Sequence, residues 1–421
     1  MEYAEVTLAN GLRLVCLERP GTPTVATKVL VKCGSRHDGE KHGLAHALEH
    51  LFFKGTASRT TQQIYNAVEE VGGQIDAQTT KEYTAFSAVT QDRFHHRGLA
   101  VLADIVRQPR LDKVDFLKEK LVILEEMRRR ADERQAIWDF YAAALWQVHP
   151  LKDRVLGYKE ELLKLDVADL RQQHAAFFVP GNTVIAIAGN VTLQDALALV
   201  EEFFGAWEGE LPAFPPVPSE PPLADKREVW LERDTSQVHL LLGWPAVDMK
   251  HPDRHPLKVI GRLLGVGGGS RLYQRLREEQ QLVYTVNTAV ATYEDIGHFA
   301  IYTTCDPARL DAVRTTIFEE IARLQAQPVS IEELGRVQTS YEGSLAVNFE
   351  TNLQVASIHG VEALLDRIEP FAEAVSRINA VTQEDIRRVA RQYFTLDRHV
   401  SVAMGPKAAS NYMNPESGPK K

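Results

Sequence analysis

Gly43-Leu-Ala-His46-Ala-Leu-Glu49-His50-Leu-Phe-Phe53 is apolar except at His46, Glu49 and His50. On a helix, residues four apart share a face, so the rings of His46 and His50 converge. Glu49 precedes His50 by one residue and lies beside that face. Two imidazoles placed this way match two positions of a tetrahedral zinc, with a carboxylate near enough to take a proton from water. The pattern is HxxEH, the mirror of HExxH. With 14 histidines and 57 acids in 421 residues, chance supplies only about 0.06 such matches. The flanking Leu44, Leu48, Leu51, Phe52 and Phe53 predict burial, and buried polar groups need partners. A solvated pair of surface histidines fits that setting poorly.

A catalytic zinc takes a third protein ligand and keeps one position open. Helical spacing over Leu111 to Arg134 makes that segment the best source. Glu119 and Glu126 stand seven apart there, on one face two turns from each other. Glu125 points about 100° away. Spacing alone leaves the third ligand open between Glu125 and Glu126.

A chain of 421 residues exceeds one ordinary core and suits two domains of about 200 residues each. Its 44% hydrophobic and 25% charged residues place it with soluble globular proteins. A net charge of −9 argues against a nucleic-acid binder, which clusters Lys and Arg. Cys16, Cys33 and Cys305 are scattered, without CxxC spacing, and read as buried reduced thiols rather than disulfides or zinc ligands. The start, MEYAEVTLANGLRLVC, lacks a basic region followed by an apolar stretch, and no apolar run nears the ~20 residues of a membrane span. The expectation is a soluble protein of a reducing compartment, most simply the cytoplasm.

Leu211 to Asp225 holds six of the 20 prolines, a density that favours extended backbone. It reads as a linker, 211–225, between halves 1–210 and 226–421. The halves look duplicated. Asp169 opens a helical stretch reaching Phe177, followed by the strand Thr183 to Gly189; Asp385 opens one reaching Tyr393, followed by the strand His399 to Gly405. The Asp-to-Gly spacing is 20 residues in both copies, at an offset of 216. Thr7 to Val31 alternates like strands broken at Asn10-Gly11 and Pro20-Gly21. Strands and helices mingle without a βαβ rhythm, so the expected class is α+β, two layered domains related by duplication.

These features together resemble the pitrilysin family of metallopeptidases, of the processing-peptidase type, over nearly the whole chain. HGLAHALEHLFFKGT, Glu119 and Glu126 in EKLVILEE, HPLKDRVLG and FFVPGNTVIAIAG carry the likeness. In that family the third ligand follows the second histidine by about 76 residues, the distance from His50 to Glu126. The resemblance therefore implies His46, His50 and Glu126 as ligands of one Zn2+ per chain, Glu49 as the base, and Glu119 as the acid behind the ligands. It also implies a substrate-contacting Arg/Tyr pair seven apart after a glycine-rich loop, here Arg277 and Tyr284 after Gly267-Gly-Gly-Ser270. That loop lacks the Gly-Lys-[Ser/Thr] ending of a phosphate loop.

The segment from Gly72 reads as a turn and an edge strand. The family receives its substrate there by strand addition, through an Asn-Ala pair that is Asp76-Ala77 in this chain. Aligning Ser58 with Ser270 puts Lys258, Gly261 and Arg262 where the first half has His46, Glu49 and His50, so the second domain is expected to be metal-free. A half-length member of this family implies a dimer, here a homodimer cleaving unfolded peptides or presequences, or a heterodimer with a zinc-free homologue. The alternative class is a non-catalytic scaffold subunit, against which the intact His46, Glu49, His50 and Glu126 count.

Overall fold

The computed structural model describes residues 3–132 and 136–407. The chain divides into two compact units. The first contains residues up to Arg129, Asp153–Val217 and Leu345–Phe371. The second contains Arg130–Lys152, Pro218–Ser344 and the chain from Ala372.

The first unit is built on strands β1 (Ala4–Thr7), β2 (Arg13–Glu18), β3 (Thr24–Val31), β4 (Gln74–Thr79), β5 (Thr84–Gln91) and β6 (Thr183–Gly189). They form one sheet in the order β1-β2-β6-β3-β5-β4. The second unit carries β7 (Arg227–Glu232), β8 (Val238–Ala246), β9 (Val283–Thr292), β10 (Gly297–Cys305) and β11 (Val400–Gly405), in the order β7-β11-β8-β10-β9. Without β1 the two orders are the same, strand for strand. Both contain one parallel pair, β2 with β6 and β7 with β11, among antiparallel neighbours. The α+β class and the duplication expected from the 216-residue offset are thus present as repeated topology.

Six helices matter most here: α1 (Leu44–Phe52), α2 (Lys113–Asp132), α3 (Val167–Phe177), α4 (Arg254–Gly265), α5 (Asn352–Leu364) and α6 (Gln383–Tyr393). The repeated aspartates have a local cause. Asp169 accepts from the backbone N–H of Asp166, the residue capping α3, and Asp385 does the same for Thr382 before α6. Each is the returning partner of a capping box, which satisfies N–H groups that a helix start leaves over.

The breaks in the first strands fall at Gly11 and Gly21, both with left-handed backbone, φ +87° and +86°. Glycine takes that conformation at no steric cost.

Both faces of the first sheet are covered, so its central strand β6 is buried along its whole length. Leu14, Cys16, Val29, Phe86 and Ile185 meet Leu44, Leu48 and Phe52 of α1 on one face. Val15, Leu17, Leu30, Val184 and Ala186 meet Val355, Ala356 and Ala363 of α5 on the other. α5 approaches closely because Gly360 has no side chain. A Cβ there would lie 2.6 Å from Leu30 Cδ1 and 2.9 Å from Ala186 Cβ.

The second unit repeats the device with the helix Ala136–Leu145. Its Ile137, Tyr141 and Leu145 pack on Leu241, Val400 and Val402, with the Tyr141 ring lying against Gly243. A single cut in the Pro-rich stretch therefore does not separate the units. Residues 130–152 and 345–371 each belong with the unit formed mainly by the other half. Residues 211–225 form no helix or strand. Among the described residues no helix is long and apolar enough to cross a membrane.

Candidate metal centre

α1 is buried on most of its circumference. Gly43, with φ +88°, starts it, and an added Cβ there would stand 2.6 Å from the Leu156 carbonyl oxygen. The buried Asp38 carboxyl accepts from the backbone N–H groups of Gly43 and Ala45 at 2.8 and 2.9 Å, tying down the first turn. Burial pushes that carboxyl up to about 8, with its backbone donors pulling the other way. The helix is thereby held in one position, leaving its polar side towards α2.

There the two helices bring His46, His50 and Glu126 together, with ligand atoms within 4.8 Å of one another. His50 Nε2 lies 3.4 Å and His46 Nε2 3.7 Å from Glu126 Oε2. The second distance is too long for a hydrogen bond. Donors sharing one tetrahedral zinc stand about 3.3–3.6 Å apart, close to the 3.4 and 3.7 Å from Glu126 to the two imidazoles. Two imidazoles with a carboxylate are donors suited to that ion. Among the described residues this is the cluster of His, Cys, Asp and Glu suited to a metal. Glu125, the competing candidate from spacing, is exposed and ion-paired with Arg128.

Glu119 stands behind the cluster. Its Oε2 is 3.1 Å from His50 Nδ1, and its Oε1 is 2.7 Å from Lys54 Nζ. An ionised carboxylate only accepts, so Nδ1 donates to Glu119, and Nε2 is the nitrogen that would turn its lone pair to a bound metal. Burial lowers the His50 pKa, but the carboxylates of Glu126, Glu119 and Glu49 outweigh it and raise the value. The hydrogen bond from His50 holds Glu126 below the ordinary carboxylate range. Two imidazoles among three carboxylates make a site that attracts a cation.

Glu49 is oriented by Thr79, whose hydroxyl donates to Glu49 Oε2 at 2.6 Å. That leaves Oε1 as the oxygen available for a proton. Burial raises the Glu49 pKa, opposed by Thr79 and His50 and reinforced by Glu126 and Asp76.

Thr79 sits on β4, an edge strand as expected. Ala77 shares its side of the sheet, whereas Asp76 points to the opposite side by strand alternation. The role of Thr79 had no signal in the sequence, because nothing local says that β4 runs beside α1. Lys54 did have one: it stands four residues after His50.

In the second unit, Arg277 and Tyr284 do meet. The π-helical turn Tyr273–Glu279 places the Arg277 guanidinium 4.7 Å from the Tyr284 ring centroid and 4.9 Å from that of Tyr273. Such geometry is a cation–π contact. Tyr284 is 70% exposed and presents the cluster to solvent. Tyr273 went unnoticed in the sequence, although it stands four residues before Arg277 on a helical turn. On α4, Arg262 donates to Ser340 and Ser344, and Lys258 and Gly261 complete a set that offers no ligand.

A duplicated α+β scaffold carrying one HxxEH helix and a glutamate from a second helix defines a class of protein with a candidate two-histidine, one-carboxylate centre. Residues 13–159 match the family model described as insulinase, peptidase family M16, and residues 164–341 match the one described as the peptidase M16 inactive domain. A Bacillus subtilis protein described as an uncharacterized zinc protease, YmxG, is 33% identical over 93% of this chain and 95% of its own length. The bovine mitochondrial-processing peptidase subunit beta is 28% identical over 95% and 83%. A Helicobacter pylori protease has the same fold, with a TM-score of 0.90 at 23% identity over 96% of this chain and 100% of that one. The chain belongs to the pitrilysin family, peptidase family M16.

Proposed function

We propose that the chain is a zinc metalloendopeptidase that hydrolyses unfolded peptides or presequences. The observation that carries this reading is the convergence of His46, His50 and Glu126 beside a Glu49 carboxylate held by Thr79. His46, His50 and Glu126 would hold the ion, which when bound supplies a Lewis acid and brings the pKa of water to about 7. Glu49 accepts the proton of the attacking water at Oε1 and returns it to the leaving amine. Burial raises its pKa above that of a free carboxylate, the direction that favours a group which both takes and gives a proton. Ala77 and Thr79, on the α1 side of β4, flank a peptide added to the open edge of that strand. Main-chain pairing gives such an addition its affinity.

Metal analysis of the purified chain and turnover of a quenched peptide test this reading. One zinc per chain, with activity lost to a chelator and restored by zinc, is the expected result; a metal-free, inactive chain would sink it. Glu119→Gln weakens the hold on His50. We expect zinc affinity to fall about 10–100-fold, read by competition with a chromophoric chelator.

We further propose a homodimer enclosing its substrates, with Arg277 and Tyr284 of one chain contacting substrate at the metal centre of the other. Both motif sets occur on one chain, and the bovine relative is itself described as a subunit. Mixing inactive Glu49→Gln protein with inactive Arg277→Ala protein should restore part of the activity. No recovery, when labelled subunits demonstrably exchange, counts against sharing in trans.

A further inference from the structure

On the side of the first sheet away from α1, the registers of three strands line up. Lys28 of β3 pairs with Ser87 of β5, and Ser87 pairs with Asp76 of β4. Lys28, Ser87 and Asp76 thus form one row running to the sheet edge. α5 covers part of this row, leaving an open cleft of about 420 Å³ in which Leu353, Gln354 and Ile358 face the strands.

The two charges of the row are presented differently. Lys28 is 7% exposed and donates to Ser357 Oγ at 3.0 Å, so its ammonium is turned inward. Asp76 is exposed at the edge. A strand added to β4 would set one of its side chains next in the row, about 5 Å from Asp76 and roughly 14 Å from Lys28. Coulomb attraction falls with distance, so Asp76 decides the sign of the field at that place. Leu353 and Ile358 offer an apolar wall for an aliphatic stem, leaving the charged tip at the carboxylate.

We infer that Asp76 selects a lysine or arginine in the peptide substrate, at the residue whose side chain enters this cleft. The inference rests on the peptidase reading and on strand addition at β4. Because strand residues alternate, the selected residue is the immediate neighbour of the one facing Ala77 on the α1 side.

The test is a set of quenched peptides with Arg, Gln or Glu scanned through each position. Wild-type kcat/KM should favour Arg over Gln by about two- to fivefold at one position, as for an opposite-charge cross-strand pair, and disfavour Glu there. Asp76→Asn should bring the Arg-to-Gln ratio to about one, Asp76→Lys should invert it in favour of Glu, and Asp76→Glu should keep it. The affinities of Glu49→Gln protein for the same peptides, by fluorescence anisotropy, give a readout independent of turnover. Absence of hydrolysis by wild-type enzyme defeats the peptidase reading. A wild-type chain with no charge preference, or an Asp76→Asn variant that retains it in both turnover and binding, overturns the inference.

Discussion

Replacing Glu49 with glutamine should lower peptide turnover by about 10²–10⁴-fold, the contribution of a positioned acid–base group, while zinc content stays at that of the wild type. The substitution is nearly isosteric and keeps an oxygen to accept from Thr79, the contact that orients the side chain at 2.6 Å. What disappears is the capacity of Oε1 to take a proton. Glu49 is not among the proposed ligands His46, His50 and Glu126, so the ligand set survives. Steady-state kinetics with a quenched peptide, paired with metal analysis, reads both halves of the expectation. A variant keeping more than about a tenth of wild-type kcat/KM would remove Glu49 from the role of base, since even the low end of that range is larger.

The second large effect separates two adjacent glutamates. Glu126→Ala should weaken zinc binding by more than about 100-fold, beyond the 10–100-fold range of an outer-shell loss, and activity should vanish with the metal. Glu125→Ala should leave both nearly unchanged. Glu126 lies within 3.7 Å of both imidazole Nε2 atoms, whereas Glu125 is exposed and paired only with Arg128 three residues on. Exposed pairs of that kind contribute about 0–1 kcal/mol. Equal zinc affinity in the two variants would rule out the proposed ligand set.

This pair of residues also marks how far the sequence could be read. The HxxEH helix was legible because four-residue spacing and apolar flanks are local properties. The facing helix was legible too, but its rotation about its own axis was not, and that rotation separates Glu126 from Glu125. Family spacing pointed to Glu126, and in the structure Glu126 is the one that approaches both imidazoles while Glu125 pairs with Arg128. Duplication was visible in one motif, Asp to Gly over 20 residues, because capping boxes and buried strands are written locally. Thr79 and the covering of each sheet by a distant helix were not visible. Both depend on pairings between segments tens to hundreds of residues apart, for which alternation and periodicity carry no address.

The placement of α5 has a consequence for how the protein is made. Its residues 352–364 complete the core of a unit whose first strand begins at Ala4. On the ribosome, most of the chain must emerge before that sheet is covered on both faces. Until then Val15, Leu17, Leu30 and Val184 stand bare, at a cost of roughly 6–12 kcal/mol, about the whole stability margin of a domain. The nascent N-terminal half is therefore expected to need chaperones, and a truncation at the Pro-rich stretch is expected to yield an aggregation-prone fragment rather than a minimal enzyme.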